Sequence, residues 1–132
     1  MIFGIGYDVI ETERVAAAMA RHGERFAQRI LGPREMAIYH MRRRRSLDRG
    51  TAFLATRFAA KEAISKAVGL GMRWPMTWRS VEIIPEPGGR PCAVANGEFA
   101  AFLASKGLRL HVSLSDVAKL AVAQAIAETG AG

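Results

Sequence analysis

Apolar positions recur with two different periods along the chain. Between Phe53 and Gly71 the run FLATRFAAKEAISKAVGLG has no Pro, and no Gly until Gly69 and Gly71, which predicts a helix closed by a glycine terminator. Ala60, Ala63, Ile64 and Ala67 fall at i, i+3, i+4 and i+7, a stripe of small residues able to lie close against a sheet. Glu62 and Lys66 lie one turn apart on a ridge turned roughly 120° from the centre of that stripe. Taken alone, such a pair is a solvated contact contributing a few tenths of a kcal/mol; its context decides whether it is more.

The remaining elements follow from shorter patterns. Ile2 to Ile10 is β-rich and interrupted by Gly4 and Gly6, which suits a buried strand pressed against another backbone. Asp8 near its end is costly unless it is paired, hydrogen-bonded or bound to a cation. It could equally cap the following helix, a task for which Thr12 competes. Glu13 to Ile30 reads as one helix or two, broken near Gly23, with Val15, Ala18, Met19 and Phe26 among its apolar positions. Pro33 followed by Glu35 predicts a short helix to about Met41, and the four arginines Arg42 to Arg45 with SLDRG then predict a solvated loop. MRWPMTW reads as an irregular segment that packs. Ser80 to Pro85 and Pro91 to Ala95 form a hairpin around EPGGR, and Asn96 caps a helix through Lys106 that stops at Gly107. Leu108 to Leu114 alternates as a strand. Lys119 to Ile126 is assigned as its antiparallel partner across a Ser115-Asp116 turn, although AVAQAIAE favours helix by propensity alone.

Length and charge narrow the class. With 132 residues, 50% of them hydrophobic, one core and one domain spanning 1–132 are expected. Nineteen Lys and Arg against twelve Asp and Glu give a net charge of +7 and a pI near 10.5, so the expected partner is an acidic macromolecule, a phosphorylated ligand or an anionic surface. Arg14, Arg21, Arg25 and Arg29, spaced by seven, four and four, fall within roughly 80° of arc on a continuous helix: a basic stripe, or a solvated face. Cys92 is the only cysteine, which excludes an intramolecular disulfide and makes a reducing cytoplasm the simplest home. MIFGIGYDVIETER has neither a basic leader nor a small-residue cleavage site, and no apolar run approaches bilayer length, so a soluble cytoplasmic protein is expected.

In order and spacing, GIGYDVIETER, RFAAKEAISKAVGLG, GGRP and HVSLSD resemble the phosphopantetheinyl transferases, most closely their short bacterial form, over nearly the whole chain. The resemblance implies an α+β fold, an antiparallel sheet packed against a long helix, in a single-copy unit that assembles as a trimer with active sites at subunit interfaces. It implies transfer of 4′-phosphopantetheine from coenzyme A to a serine of apo-acyl carrier protein, with Mg²⁺, releasing adenosine 3′,5′-bisphosphate. By the same resemblance Asp8 and Glu62 match the metal-binding carboxylates; Glu62, directly or through a metal-bound water, takes the serine proton, and Lys66 assists the departing phosphate. Arg57, Lys61, Lys66, Gly89, Arg90, Pro91 and His111 are implied at the coenzyme, His111 from a neighbouring subunit. Arg14, Arg21, Arg25 and Arg29 match the surface that receives the acidic carrier protein. RRRRSLDRG and RWPMTW are longer than in the most compact members. The competing class is a basic nucleic-acid-binding module, motivated by the pI and the arginine run, but the chain lacks a recognition helix, zinc ligands or an aromatic RNA-reading signature.

Overall fold

The structure, a computed structural model, describes residues 1–130; positions 131 and 132, the end of the expected domain, lie outside the described residues. In chain order the elements are β1 (Ile2–Glu11), α1 (Thr12–His22), α2 (Glu24–Ile30), α3 (Pro33–Arg45), α4 (Leu47–Ala67), β2 (Val81–Pro85), β3 (Pro91–Ala95), α5 (Gly97–Ser105), β4 (Leu108–Val117) and β5 (Leu120–Thr129). β1, β5 and β4 form an antiparallel sheet in that order, and β2 with β3 forms a separate two-stranded ribbon.

The expected packing of sheet on long helix is what the chain adopts. Ala60, Ala63 and Ile64 are fully buried and Ala67 nearly so, against Ala123, Ala125 and Ala127 of β5, which are also fully buried. Alternate alanines under a helix explain why AVAQAIAE is a strand despite its helical propensity: burial of one face at period two outweighs an intrinsic preference worth a few tenths of a kcal/mol per residue. Small residues on both sides bring backbone to backbone. A Cβ at Gly6 would lie 1.7 Å from the Ala63 carbonyl oxygen, and one at Gly4 2.0 Å from that of Ala67, so only glycine fits either position of β1.

Several boundaries differ from the sequence expectation. The long helix begins at Leu47 rather than Phe53, with the Ser46 hydroxyl accepting from the Arg49 N–H at 3.4 Å, and ends at Ala67. Arg42 to Arg45 are the last turn of α3, not a loop. Arginine is a good helix former, and successive positions point about 100° apart, so the four charges diverge and the carbonyl end of the helix favours them. The β4–β5 turn falls at Ala118 and Lys119, both at positive φ, and Ser115 and Asp116 remain in the strand. Asn96 precedes α5, but its side chain donates to the Arg79 carbonyl instead of capping. Neither Asp8 nor Thr12 caps α1: the Thr12 hydroxyl donates to the Lys119 carbonyl. The tryptophan segment packs in part, with Met76 fully buried and Trp78 stacked on Phe58 at 4.7 Å, whereas Trp74 is exposed. No helix among the described residues is long and apolar enough to cross a membrane.

Candidate active site

β1 crosses α4 with its even-numbered residues facing the helix, which follows from Gly4 and Gly6 contacting Ala67 and Ala63. Asp8 continues that face and meets the Glu62–Lys66 ridge of α4. Lys66 Nζ donates to the Tyr7 carbonyl at 3.0 Å and lies 3.4 Å from Asp8 Oδ1. Glu62 is close enough for the Asp8 charge to act on it. Burial first, and the Asp8 carboxylate second, push the Glu62 carboxyl above its ordinary range, while Lys66 partly opposes them. The structure therefore brings together Asp8, Glu62 and Lys66, which are 54 and 58 positions apart in the chain.

Two carboxylates of like charge, one with a raised pKa, form a site that a hard cation relieves. Among the described residues no group of three or more His, Cys, Asp or Glu is placed to hold a metal. A pair of oxygen donors suits an ion such as magnesium, which is held by one or two carboxylates and completes its octahedron with waters and substrate phosphate oxygens. The donor set fits.

A second feature is a cleft of about 620 Å³ lined by Arg42, Arg45, Arg49, Arg57, Gly89 and Pro91 among others. Arg57 forms part of its wall, only 7% exposed. Its Nε donates to the Ile83 carbonyl at 3.0 Å, its Nη1 to Thr56 Oγ1 at 3.2 Å, and its guanidinium lies 4.0 Å from the centre of the Phe53 ring. The Arg42 guanidinium lies 5.1 Å from the same ring. Burial first lowers the Arg57 pKa to about 10, with Glu35 opposing and Arg42 adding to the fall, so Arg57 remains cationic at neutral pH. Two cations on one ring, with two more arginines along the wall, make the cleft a receptor for a polyanion. Arg42, Arg45 and Arg49 were not selected from the sequence. Their signal was the arginine run itself, which acquires a direction only once it is helical.

Other expected site residues fall elsewhere. Lys61 is corrected from a coenzyme contact to an interior residue: it is fully buried, and its Nζ donates to Glu35 Oε1 and to the Ile30 carbonyl, both at 2.6 Å. Arg90 points to solvent and pairs with Glu86 at 3.5 Å, leaving Gly89 and Pro91 as the members of that turn at the cleft. His111 lies on the opposite face of the sheet from Asp8: it registers with Ile126 and through it with Ile5, whereas Asp8 registers with Ala123 and Leu114. There its Nε2 lies 3.0 Å from Glu128 Oε1, a hydrogen bond that holds the Glu128 carboxyl below its usual range. On that outer face Ile5, Tyr7 and Val9 are 61, 55 and 41% exposed. The break at Gly23 separates Arg14 and Arg21 from Arg25 and Arg29, so no single-helix stripe exists. Arg21, Arg25 and Arg29 still line one surface depression with Phe26, and Arg14 lies outside it.

A β1 carboxylate meeting a Glu and a Lys one turn apart on the long helix, in a chain that also carries an arginine-lined cleft, has counterparts among known proteins. The chain is a member of the 4′-phosphopantetheinyl transferase superfamily, whose profile matches residues 4–124. The holo-[acyl-carrier-protein] synthase of Cupriavidus taiwanensis is 60% identical over 128 residues, 97% of this chain and 91% of that protein. The crystal structure of the holo-[acyl-carrier-protein] synthase of Neisseria meningitidis superposes with a TM-score of 0.90 at 33% identity, covering 98% of this chain and all of that one. The Bacillus anthracis holo-(acyl-carrier-protein) synthase, solved in complex with CoA (3′,5′-ADP), superposes with a TM-score of 0.79 at 32% identity over 98% of this chain and 99% of that one. The nucleic-acid-binding alternative gives way to this family assignment.

Proposed function

We infer that this protein transfers the 4′-phosphopantetheine arm of coenzyme A to a serine of apo-acyl carrier protein, giving holo-acyl carrier protein and adenosine 3′,5′-bisphosphate. The observation that carries this is the meeting of Asp8, Glu62 and Lys66 where β1 crosses α4 in a chain of this family. Asp8 and Glu62 would hold magnesium, which when bound supplies positive charge to the pyrophosphate. Glu62, directly or through a water, accepts the serine proton as the serine Oγ bonds to the pantetheine-side phosphorus. The bond from that phosphorus to the oxygen bridging to the adenosine-side phosphate breaks. The electron pair leaves with that oxygen, and Lys66 donates a hydrogen bond to the charge developing there. Arg42, Arg45, Arg49 and Arg57, with the Gly89 and Pro91 turn, receive the phosphates of the nucleotide end.

The working form is a homotrimer. Support comes from the outer face of the sheet, where Ile5, Tyr7 and Val9 are exposed beside His111. That face calls for a cover, and His111 can reach a catalytic group only in a neighbouring subunit. Arg14, Arg21, Arg25 and Arg29 receive the acidic carrier protein, and the absence of a second cysteine fits a reducing cytoplasm. The test is the intact mass of a bacterial apo-acyl carrier protein incubated with this protein and coenzyme A. A gain of one phosphopantetheine group, lost with EDTA or with Asp8→Ala, is expected; no gain on any of several carriers overturns the reading.

A further inference from the structure

The buried ion pair between Lys61 and Glu35 touches neither reacting atoms nor the cleft. Both side chains are fully buried, and every polar atom of the pair has a partner. Glu35 Oε1 accepts from Lys61 Nζ at 2.6 Å and from the Gly32 N–H at 3.0 Å, and Oε2 accepts from the Ile83 N–H at 2.7 Å. A pair of this kind adds little net stability, because desolvation offsets the attraction and an apolar pair of equal volume would fill the space as well. What it specifies is geometry.

The geometry runs to the cleft. Ile83 is the central residue of β2; its N–H is taken by Glu35 and its carbonyl by Arg57 Nε. The carboxylate and the guanidinium thus bind the two peptide groups on either side of the Ile83 Cα, so the Glu35 carboxylate sets where the Ile83 carbonyl holds Arg57. The neighbouring Glu82 locks the same seam from the strand side: its Oε2 accepts from the N–H groups of Arg34 and Glu35 at 2.8 and 3.1 Å, at the positive end of α3. A Cβ at Gly32 would lie 2.6 Å from that oxygen, so the carboxylate reaches the helix end only because Gly32 has none. Seven residues beyond Glu35, on the same face of α3, Arg42 meets the Phe53 ring that Arg57 also covers.

We propose that Glu35, paired with Lys61, is a positioning residue for coenzyme A: through Ile83 it holds the Arg57 guanidinium at the cleft, setting affinity for the coenzyme without acting in the transfer step. This rests on the functional reading above. The test compares Glu35→Asp, which withdraws the carboxylate by one methylene, and Glu35→Gln, which removes its charge, alone and combined with Arg57→Ala in the full-length protein with magnesium. Thermal melts report folding, release of adenosine 3′,5′-bisphosphate gives kcat and KM, and calorimetry gives coenzyme A affinity. The expected result is a KM for coenzyme A raised about tenfold, with kcat and the KM for carrier within about threefold. Glu35→Asp added to Arg57→Ala should cost less than about twofold more, because both act through one contact. An unchanged KM for coenzyme A, a loss confined to kcat, losses that multiply, or failure of both single variants to fold would each overturn the proposal. Wild-type protein that does not turn over coenzyme A would instead overturn the functional reading, and this proposal with it.

Discussion

Replacing Gly6 with alanine tests the link between packing and chemistry, because the contact that forbids a Cβ lies two residues from Asp8. The added methyl would sit 1.7 Å from the Ala63 carbonyl oxygen and 2.7 Å from its carbon, both backbone atoms of α4. Real contacts of this kind are no shorter than 3.0 Å, so β1 and α4 must part by about 1.3 Å, an overpacking that costs roughly 1–3 kcal/mol or more. For a chain of this size that lowers the melting temperature by at least about 4 °C. Asp8 rides on the strand and Glu62 on the helix, so the same displacement separates the two carboxylates. Misplacement by about 1 Å costs on the order of 100-fold in rate. Gly4→Ala makes a similar clash, 2.0 Å from the Ala67 oxygen, but lies farther from Asp8. The two variants should therefore melt alike, with kcat falling much further in Gly6→Ala. Thermal melts and single-turnover transfer to apo-acyl carrier protein measure both quantities. A Gly6→Ala protein with wild-type melting temperature and kcat would refute the claim that this close approach sets the carboxylate geometry.

Three further outcomes are expected. In metal-free protein the Glu62 carboxyl, followed by carbon NMR, titrates above its ordinary 4.5; Asp8→Asn removes a like charge and lowers the midpoint, and magnesium added to the wild type lowers it too. A midpoint indifferent to both would separate Glu62 from Asp8 and from the metal. Glu82→Gln removes a carboxylate that burial would raise but that hydrogen bonds from the Glu35 and Arg34 N–H groups and the Arg34 side chain hold below 4.5. A depressed carboxyl stabilises the fold above its unfolded pKa and ceases to as pH falls through its folded one, so the variant should be about 1–3 kcal/mol less stable at pH 7, and the gap should close as pH falls from 4.5 through the depressed folded pKa in denaturant titrations. Arg21→Glu with Arg25→Glu should raise the KM for the acidic carrier about tenfold at low salt, leave kcat and the KM for coenzyme A unchanged, and lose most of the effect at high salt, as steady-state kinetics will show.

The local pattern of the chain contained most of the elements, while the chemistry of the acid site came from family resemblance. The small-residue stripe of Ala60, Ala63, Ile64 and Ala67 pointed to close packing on a sheet, and the glycines at 4 and 6 to a strand pressed on a backbone, because both signals depend only on side-chain size and period. Family resemblance assigned Asp8, Glu62 and Lys66, and the fold brings these three together. What only the tertiary structure decided were matters of direction. Four arginines in a row are a loop or a helix end with equal composition; helical, they send Arg42 and Arg45 to the cleft. Lys61 stands next to Glu62 in the chain, yet one step of about 100° around the helix sends one into the core, onto a carboxylate 26 residues earlier, and leaves the other at the site. Asp8 and His111 come to lie on opposite faces of one sheet through strand parity and register. Period and size are properties of a segment and can be read from it, whereas the partner of a buried charge is fixed by which distant segment arrives beside it.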